Sequence, residues 1–371
     1  MERKPVVLIM TSTDEYGKVS EVLAEAIRKV GTHNVVVLNE TRYDTRFNKI
    51  SRLDGLMFLN DEYKLLVAKK TTPQQILKGK PSKKSADKLK GRVRRIANAV
   101  KRYNPEFLLT VTPYAHCAVA EAKERAGFGH NVINIPDSFV LRKHFAADGA
   151  ADAYIVENGD IKAELVKNGV PSRKIMTMGL PFDAEKVTPI EVETKKQELG
   201  LPKTTTVFLN ASAKDGVAET LKLLADQGSI VNVVCYFEDT RLTPSLRAIA
   251  DAAESGGNNI VLLSKEEMFD EYLSVSDIVI TRYDPSVLYK CFKMGKPVIS
   301  FSDNDFAAAN LDYLVSKNLV MRAADTIDVV ALIYKLMQTD TASVFVENGE
   351  KWTEMYSVEN IVNYLTSYIG T

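Results

Sequence analysis

Two stretches of this chain place hydroxyl groups and backbone amides just ahead of a helix, the position at which proteins hold phosphate. One is Asn210-Ala211-Ser212-Ala213-Lys214-Asp215-Gly216, where Ser212 and the amides leading to Gly216 would donate to phosphate oxygens. The other is Ser276 to Ser300, SDIVITRYDPSVLYKCFKMGKPVIS, in which the strand Asp277 to Thr281 runs into a helix opened by Pro285-Ser286. Asp14 and Glu15 follow the first apolar run and are proton acceptors if a hydroxyl is to be activated. They are equally suited to a solvated turn whose acids favour a helix N-terminus. Of the four histidines, His116 and His144 fall near strand ends; a lone histidine beside a helix is otherwise structural. Cys117, Cys235 and Cys291 sit in apolar contexts without a CxxC pair and read as buried thiols. No metal-ligand cluster, Walker loop or Ser/His/Asp order stands out.

The elements that must position these groups repeat one rhythm. Pro5 to Met10 is an apolar run, Val19, Val22, Leu23, Ala26, Ile27 and Val30 mark one face of a helix, and Asn34 to Leu38 is a second strand, so the chain opens with a βαβ unit. Further strands are expected at Glu106 to Thr112, Val132 to Ile135, Ala153 to Val156, Thr205 to Leu209, Val231 to Phe237, Ile260 to Leu263 and Asp277 to Thr281. Within the second stretch, Val287, Leu288, Cys291 and Phe292 keep helical spacing, Gly295 closes the helix and Pro297 enters the next strand. Asp183 to Thr194 is charged, carries Pro189 and reads as a hinge.

At 371 residues the chain exceeds what one hydrophobic core usually serves, so two domains are expected. Lys plus Arg and Asp plus Glu balance at 48 each, and no global field draws nucleic acid or a membrane. The cysteine usage, the lack of an apolar run of about 20 residues and an amino terminus that leads straight into a strand give the expectation of a cytoplasmic protein.

One local patch departs from that neutrality. Residues 78–102 hold eleven Lys and Arg against one acid, Asp87. Leu89, Val93, Ile96, Ala97 and Val100 form an apolar stripe opposite them. The pattern fits a solvated helix packed by its stripe, or a helix held at an anionic membrane surface at the inner face. Nucleic acid is disfavoured, since no aromatic appears before Tyr103 to stack bases.

The second stretch resembles the carboxyl-terminal donor motif of the MurG-like and monogalactosyldiacylglycerol-synthase-like glycosyltransferases, the group that includes the processive diacylglycerol glucosyltransferases. Thr281, Met294-Gly295, Pro297 and Asn310-Leu311-Asp312-Tyr313-Leu314 carry the match, and Pro136-Asp137-Ser138-Phe139 and Gly179-Leu180-Pro181 extend it. The resemblance implies an α/β protein of GT-B architecture: an acceptor-side Rossmann-like domain over residues 1–185, a linker over 186–200, a nucleotide-sugar domain over 201–345 and a terminal helix, 346–371, returning to the first domain. It implies a UDP-sugar as donor substrate with no further cofactor, a lipid-type acceptor hydroxyl, and inverting, metal-independent transfer. Ser212, Gly216, Ser264, Ser286 and Asn310 would then hold the donor, and Asp14, Glu15, Asp137 and His144 would face the acceptor. The sequence also departs from that pattern. Asp284-Pro285 replaces paired glycines, and Lys290 stands for a ribose-gripping glutamate. Phe306 and Ala307 replace glutamines, and Tyr236 replaces a glycine. The alternative is therefore a GT-B binding or regulatory protein without donor chemistry.

Overall fold

The computed structural model describes residues 4–11, 19–39, 83–111, 113–136, 138–141, 151–182, 191–210, 216–226, 231–302, 305–338, 340–354 and 358–368. The chain divides into two compact units, Met1–Asp183 with Tyr356–Thr371, and Ala184–Met355.

The first unit is a parallel sheet of six strands: β1 (Val6–Thr11), β2 (Asn34–Asn39), β3 (Phe107–Thr110), β4 (Asn131–Asn134), β5 (Ala153–Val156) and β6 (Ile175–Thr177), in the order β2-β1-β3-β4-β5-β6. Strand side chains alternate between faces, and the two faces are clad differently. Val7, Ile9, Phe107 and Leu109 pack under the helices Val19–Val30 and Val358–Tyr368 through Leu23, Ile27, Ile361 and Leu365. Leu8, Met10, Leu108 and Val132 pack under the helices Lys83–Tyr103 and Pro113–Ala126 through Val93, Ile96, Val100 and Val119. Val93, Ile96 and Val100 of the basic helix's apolar stripe are thus part of the core, while Arg94, Lys101 and Arg102 remain exposed. The packed reading of that stripe is the one the structure adopts. As expected of a returning terminal helix, Val358–Tyr368 lies on this first sheet.

The second unit repeats the plan with β7 (Thr205–Asn210), β8 (Val231–Tyr236), β9 (Ile260–Leu263), β10 (Ile278–Arg282), β11 (Val298–Phe301) and β12 (Met321–Arg322), all parallel, in the order β12-β11-β10-β7-β8-β9. Val207, Leu209, Val233, Cys235, Ile278 and Ile280 form one core face with Val217, Leu221, Leu246, Val329 and Ile333. A helix at Val192–Glu198 begins inside the segment that reads as a hinge. Its Lys196 is buried and donates to Asp277 Oδ2 at 2.7 Å, and the same oxygen accepts from the Thr206 amide at 2.7 Å. One carboxylate therefore ties this helix to the amino-terminal ends of β7 and β10.

Both sheets reverse their winding once. In the second, the chain steps outward from β7 to β9, returns to β10 on the far side of β7 and continues to β12. The winding reversal falls between β7 and β10, and it is beyond the carboxyl ends of such a strand pair that doubly wound sheets bind ligands. In the first sheet the corresponding pair is β1 and β3.

Candidate functional site

The candidate site in the second unit is built from strand ends. Asn210, last in β7, donates through Nδ2 to the hydroxyl of the buried Thr281 in β10 at 3.0 Å, and that hydroxyl donates in turn to the Arg282 carbonyl at 3.0 Å. This link holds the two central strands together where their loops part. Arg282, the final residue of β10, is half-buried and makes no side-chain hydrogen bond with the described residues. It puts a cation at the carboxyl end of β10, and sequence reasoning passed over it; the signal was an arginine one residue past Thr281 in the stretch already singled out.

From Arg282 the chain turns through Tyr283 and Asp284 into the helix Pro285–Lys293. Asp284 is extended and caps that helix: its Oδ1 accepts from the amides of Ser286 at 2.9 Å and Val287 at 3.2 Å. Proline at the first helical position loses no bond by lacking an amide hydrogen. Ser286 and Lys290 are four residues apart and so share a helix face. The Lys290 ammonium reaches Asp270 at 2.5 and 2.7 Å and lies 5.8 Å from the centre of the Phe269 ring. Phe269 opens the helix Phe269–Val275, which crosses from β9 to β10 over the intervening strands, and its ring meets Phe208 and Tyr236 edge-on at 5.1 and 4.8 Å. Burial, followed by the charges of Glu238 and Glu266, pushes the Tyr236 hydroxyl above its ordinary value, so it stays a protonated donor.

Of the expected donor residues, Gly216, Ser264, Ser286 and Asn310 are described. Gly216 is left-handed at φ 68° and opens the helix Val217–Ala225 with no side-chain cap, so the residue type suits its conformation. Ser264 is exposed just past β9, and Ser286 is half-buried in the first turn of its helix. Asn310 is fully buried in the helix Asp305–Ser316. Ser212 lies outside the described residues, as do Asp14, Glu15, Asp137 and His144.

In the first unit Thr110 and Asn134, which end β3 and β4, and His116, in the helix that follows β3, are all buried. Asn134 Nδ2 donates to the Thr110 carbonyl at 3.1 Å and to its hydroxyl at 2.9 Å, and that hydroxyl lies 3.2 Å from His116 Nδ1. The His116 ring also meets Tyr154 edge-on at 6.1 Å. Among the described residues no group of three or more His, Cys, Asp and Glu is arranged to hold a metal ion, and no single helix is long and apolar enough to cross a membrane.

No protein-family model matches the chain. Over 215 residues it is 26% identical to the processive diacylglycerol beta-glucosyltransferase of Bacillus subtilis, covering 56% of this chain and 54% of that protein. Over 360 residues it is 24% identical to the Bacillus cereus (strain B4264) protein of the same name, covering 92% and 87%. The chain thus spans about half the length of the first of these curated relatives. Among solved structures, MurG of Acinetobacter baumannii aligns at a TM-score of 0.65 with 12% identity over 98% of this chain and all of that one. HepE of Anabaena, in complex with UDP, aligns at 0.59 with 12% identity over 98% and 99%. A UDP-GlcNAc 2-epimerase of Neisseria meningitidis bound to UDP-GlcNAc aligns at 0.60 with 14% identity over 98% and 98%. The architecture expected from the second stretch is the one these neighbours share.

Proposed function

We propose that this chain, a GT-B protein in fold with sequence similarity to processive diacylglycerol glucosyltransferases, moves a sugar from a UDP-sugar to the hydroxyl of a lipid-type acceptor. The observation that carries the proposal is the winding reversal between β7 and β10, where the Asn210–Thr281 bond joins the strand ends and Arg282 ends β10. Arginine presents a fork of donors matched to phosphate, and a strand end at a winding reversal is where such a ligand binds. In this reading Ser212, Gly216, Ser264, Ser286 and Asn310 line the donor side. Asp14, Glu15, Asp137 and His144 supply acceptor contacts and the base that takes the hydroxyl proton, in an inverting, metal-independent transfer. The exposed cations of the Lys83–Tyr103 helix serve as an electrostatic hold on an anionic inner membrane face, without insertion of its stripe.

The test is transfer of glucose from UDP-glucose to diacylglycerol, paired with thermal unfolding in UDP. Ligand at 100 times its dissociation constant adds about 2.7 kcal/mol, a readily measured rise in Tm. Absence of any calorimetric binding across several UDP-sugars counts decisively against the reading.

A second reading has its own observation. Asp284 occupies the two amides of Ser286 and Val287, and Lys290 is engaged by Asp270, so the site departs from a phosphate cradle at two points. A GT-B binding or regulatory protein would retain nucleotide binding, or the fold alone, without transfer. Binding of UDP with no turnover on any acceptor identifies that case.

A further inference from the structure

One side chain in the first unit holds two elements at once. Asn158 follows β5 and caps the helix Gly159–Lys167, its Oδ1 accepting from the Ile161 amide at 2.9 Å. The Nδ2 of the same side chain donates to the Phe139 carbonyl at 2.9 Å and to the carboxylate of the buried Glu157. Phe139 belongs to residues 138–141, which follow β4 and form neither helix nor strand. Ser138, Phe139 and Leu141 are nonetheless buried, and Leu141 packs with Tyr154, Val156, Ile161 and Leu165. Apolar burial retains such a segment without orienting it, because the hydrophobic effect has no direction; a hydrogen bond to its backbone supplies one. In sequence, residues 138–141 lie between Asp137 and His144, two of the groups given above to the acceptor.

We infer that Asn158 is a positioning residue for the acceptor side: through the Phe139 carbonyl it fixes the direction in which residues 138–141 leave β4, and with it the placing of the acceptor groups on either side. The inference rests on the transferase reading above and deepens it. Asn158 belongs to the first unit, whereas the expected donor residues belong to the second, so loss of the clamp acts on transfer and leaves UDP binding alone.

Two variants of the intact chain isolate the bond to Phe139. Asn158→Asp keeps an oxygen for the Ile161 amide, since aspartate caps helices as well as asparagine does, but it removes the donor to Phe139 and sets a second carboxylate beside Glu157. Adding Glu157→Gln restores a donor and an acceptor between positions 157 and 158, with the roles exchanged, and still withholds the donor from the Phe139 carbonyl. The double variant is therefore expected to recover most of the Tm lost in the single one. Its amides at residues 138–141 should exchange hydrogen about ten-fold faster than in wild type, while those of the helix Gly159–Lys167 keep their protection. Its kcat for glucose transfer from UDP-glucose to diacylglycerol should stay about ten- to hundred-fold below wild type, with UDP affinity by calorimetry changed less than about two-fold. Wild-type exchange at residues 138–141 in the double variant overturns the clamp. Recovery of kcat along with Tm overturns the positioning role and leaves the transferase reading standing, because the Phe139 bond is then dispensable. A wild type that binds UDP and transfers to no acceptor overturns the transferase reading, and the positioning role with it.

Discussion

Lys290 holds Asp270 with its ammonium 2.5 and 2.7 Å from the two carboxylate oxygens, joining the helix that follows β10 to the helix that precedes it. The side chains are 28% and 45% exposed, so solvent screens the pair and its value is about 0.5–1 kcal/mol. Lys290→Glu sets two carboxylates against each other and is expected to lower stability by about 1 kcal/mol, more than Lys290→Met. The double variant Lys290→Glu with Asp270→Lys recovers most of that loss. Urea unfolding of the singles and the double measures the coupling; strict additivity would show that the contact is not energetically linked.

The bond between Asn210 and Thr281 predicts a different pattern, because Thr281 is fully buried. Thr281→Val keeps the shape and removes the acceptor, leaving the Asn210 amide without its partner at a cost of about 1–2 kcal/mol. UDP affinity falls with it if this bond shapes the site. Thr281→Ser restores the hydroxyl and should recover most of both losses. A serine variant no better than valine would assign the effect to packing of the methyl group.

Cys235 and Cys291 are buried thiols, as their apolar contexts indicated. Burial pushes the Cys235 thiol from 9.0 up to about 12 and raises Cys291 as well, against a partly opposing pull from Lys296 and Lys290. A thiol whose pKa is higher folded than unfolded supports the fold fully below the unfolded value and loses that support as pH rises. Stability should therefore be flat near neutral pH with respect to these groups and decline from about pH 9 toward 12, by up to about 1.4 kcal/mol per pH unit for each thiol. Cys235→Ala reduces the slope. Rapid alkylation of Cys235 or Cys291 in the native protein at pH 8 would contradict their burial.

How much of this was readable from sequence depended on the range of the interaction. The continuous apolar run Pro5 to Met10 reads as a strand buried on both faces, and the stripe of Val93, Ile96 and Val100 marks the side of a helix that meets the core; both local patterns do so in the structure. Asp284-Pro285 read as a loss of glycines, but the same letters spell a helix cap followed by proline at the first turn, which is what they form. The Lys290–Asp270 pair spans 20 residues and the Lys196–Asp277 pair spans 81. Nothing in the neighbourhood of either lysine encodes its partner, because the helix crossing that brings them together is a product of sheet order. His116 was recognised as lying near a strand end and bonds Thr110 six residues before it, whereas the bond from Asn134 to the same Thr110 required the pairing of β3 with β4 to be known.

Because Val93, Ile96 and Val100 are committed to the core, what the described side chains of the basic helix offer a membrane is charge. Reversing Arg94, Lys101 and Arg102 to glutamate should abolish flotation with anionic vesicles while leaving the fold intact, since all three are exposed. Binding by the wild type should weaken steeply above about 0.15 M salt, where the screening length is about 8 Å. Equal recovery from neutral and anionic vesicles would refute an electrostatic hold. Ile96→Ala is the opposite probe: as a core truncation it costs about 2–5 kcal/mol and does not act through the membrane.

Gly349 lies against Phe292, and two effects of replacing it oppose each other. In the helix Thr341–Glu354 an alanine is favoured over glycine by about 1 kcal/mol of helix propensity. A Cβ at 349, however, would stand 3.1 Å from Phe292 Cβ and 3.3 Å from its Cα and Cδ1. Two of those atoms belong to the root of the side chain and the backbone, which cannot swing away as the tip of a flexible chain would, so overpacking of about 1–3 kcal/mol is expected to win. The chain's single tryptophan, Trp352, meets the same Phe292 ring edge-on at 5.4 Å and therefore reports the strain directly. Gly349→Ala should lower the urea midpoint and shift the tryptophan emission together. A variant more stable than wild type, with unchanged emission, would show that the two helices separate at little cost.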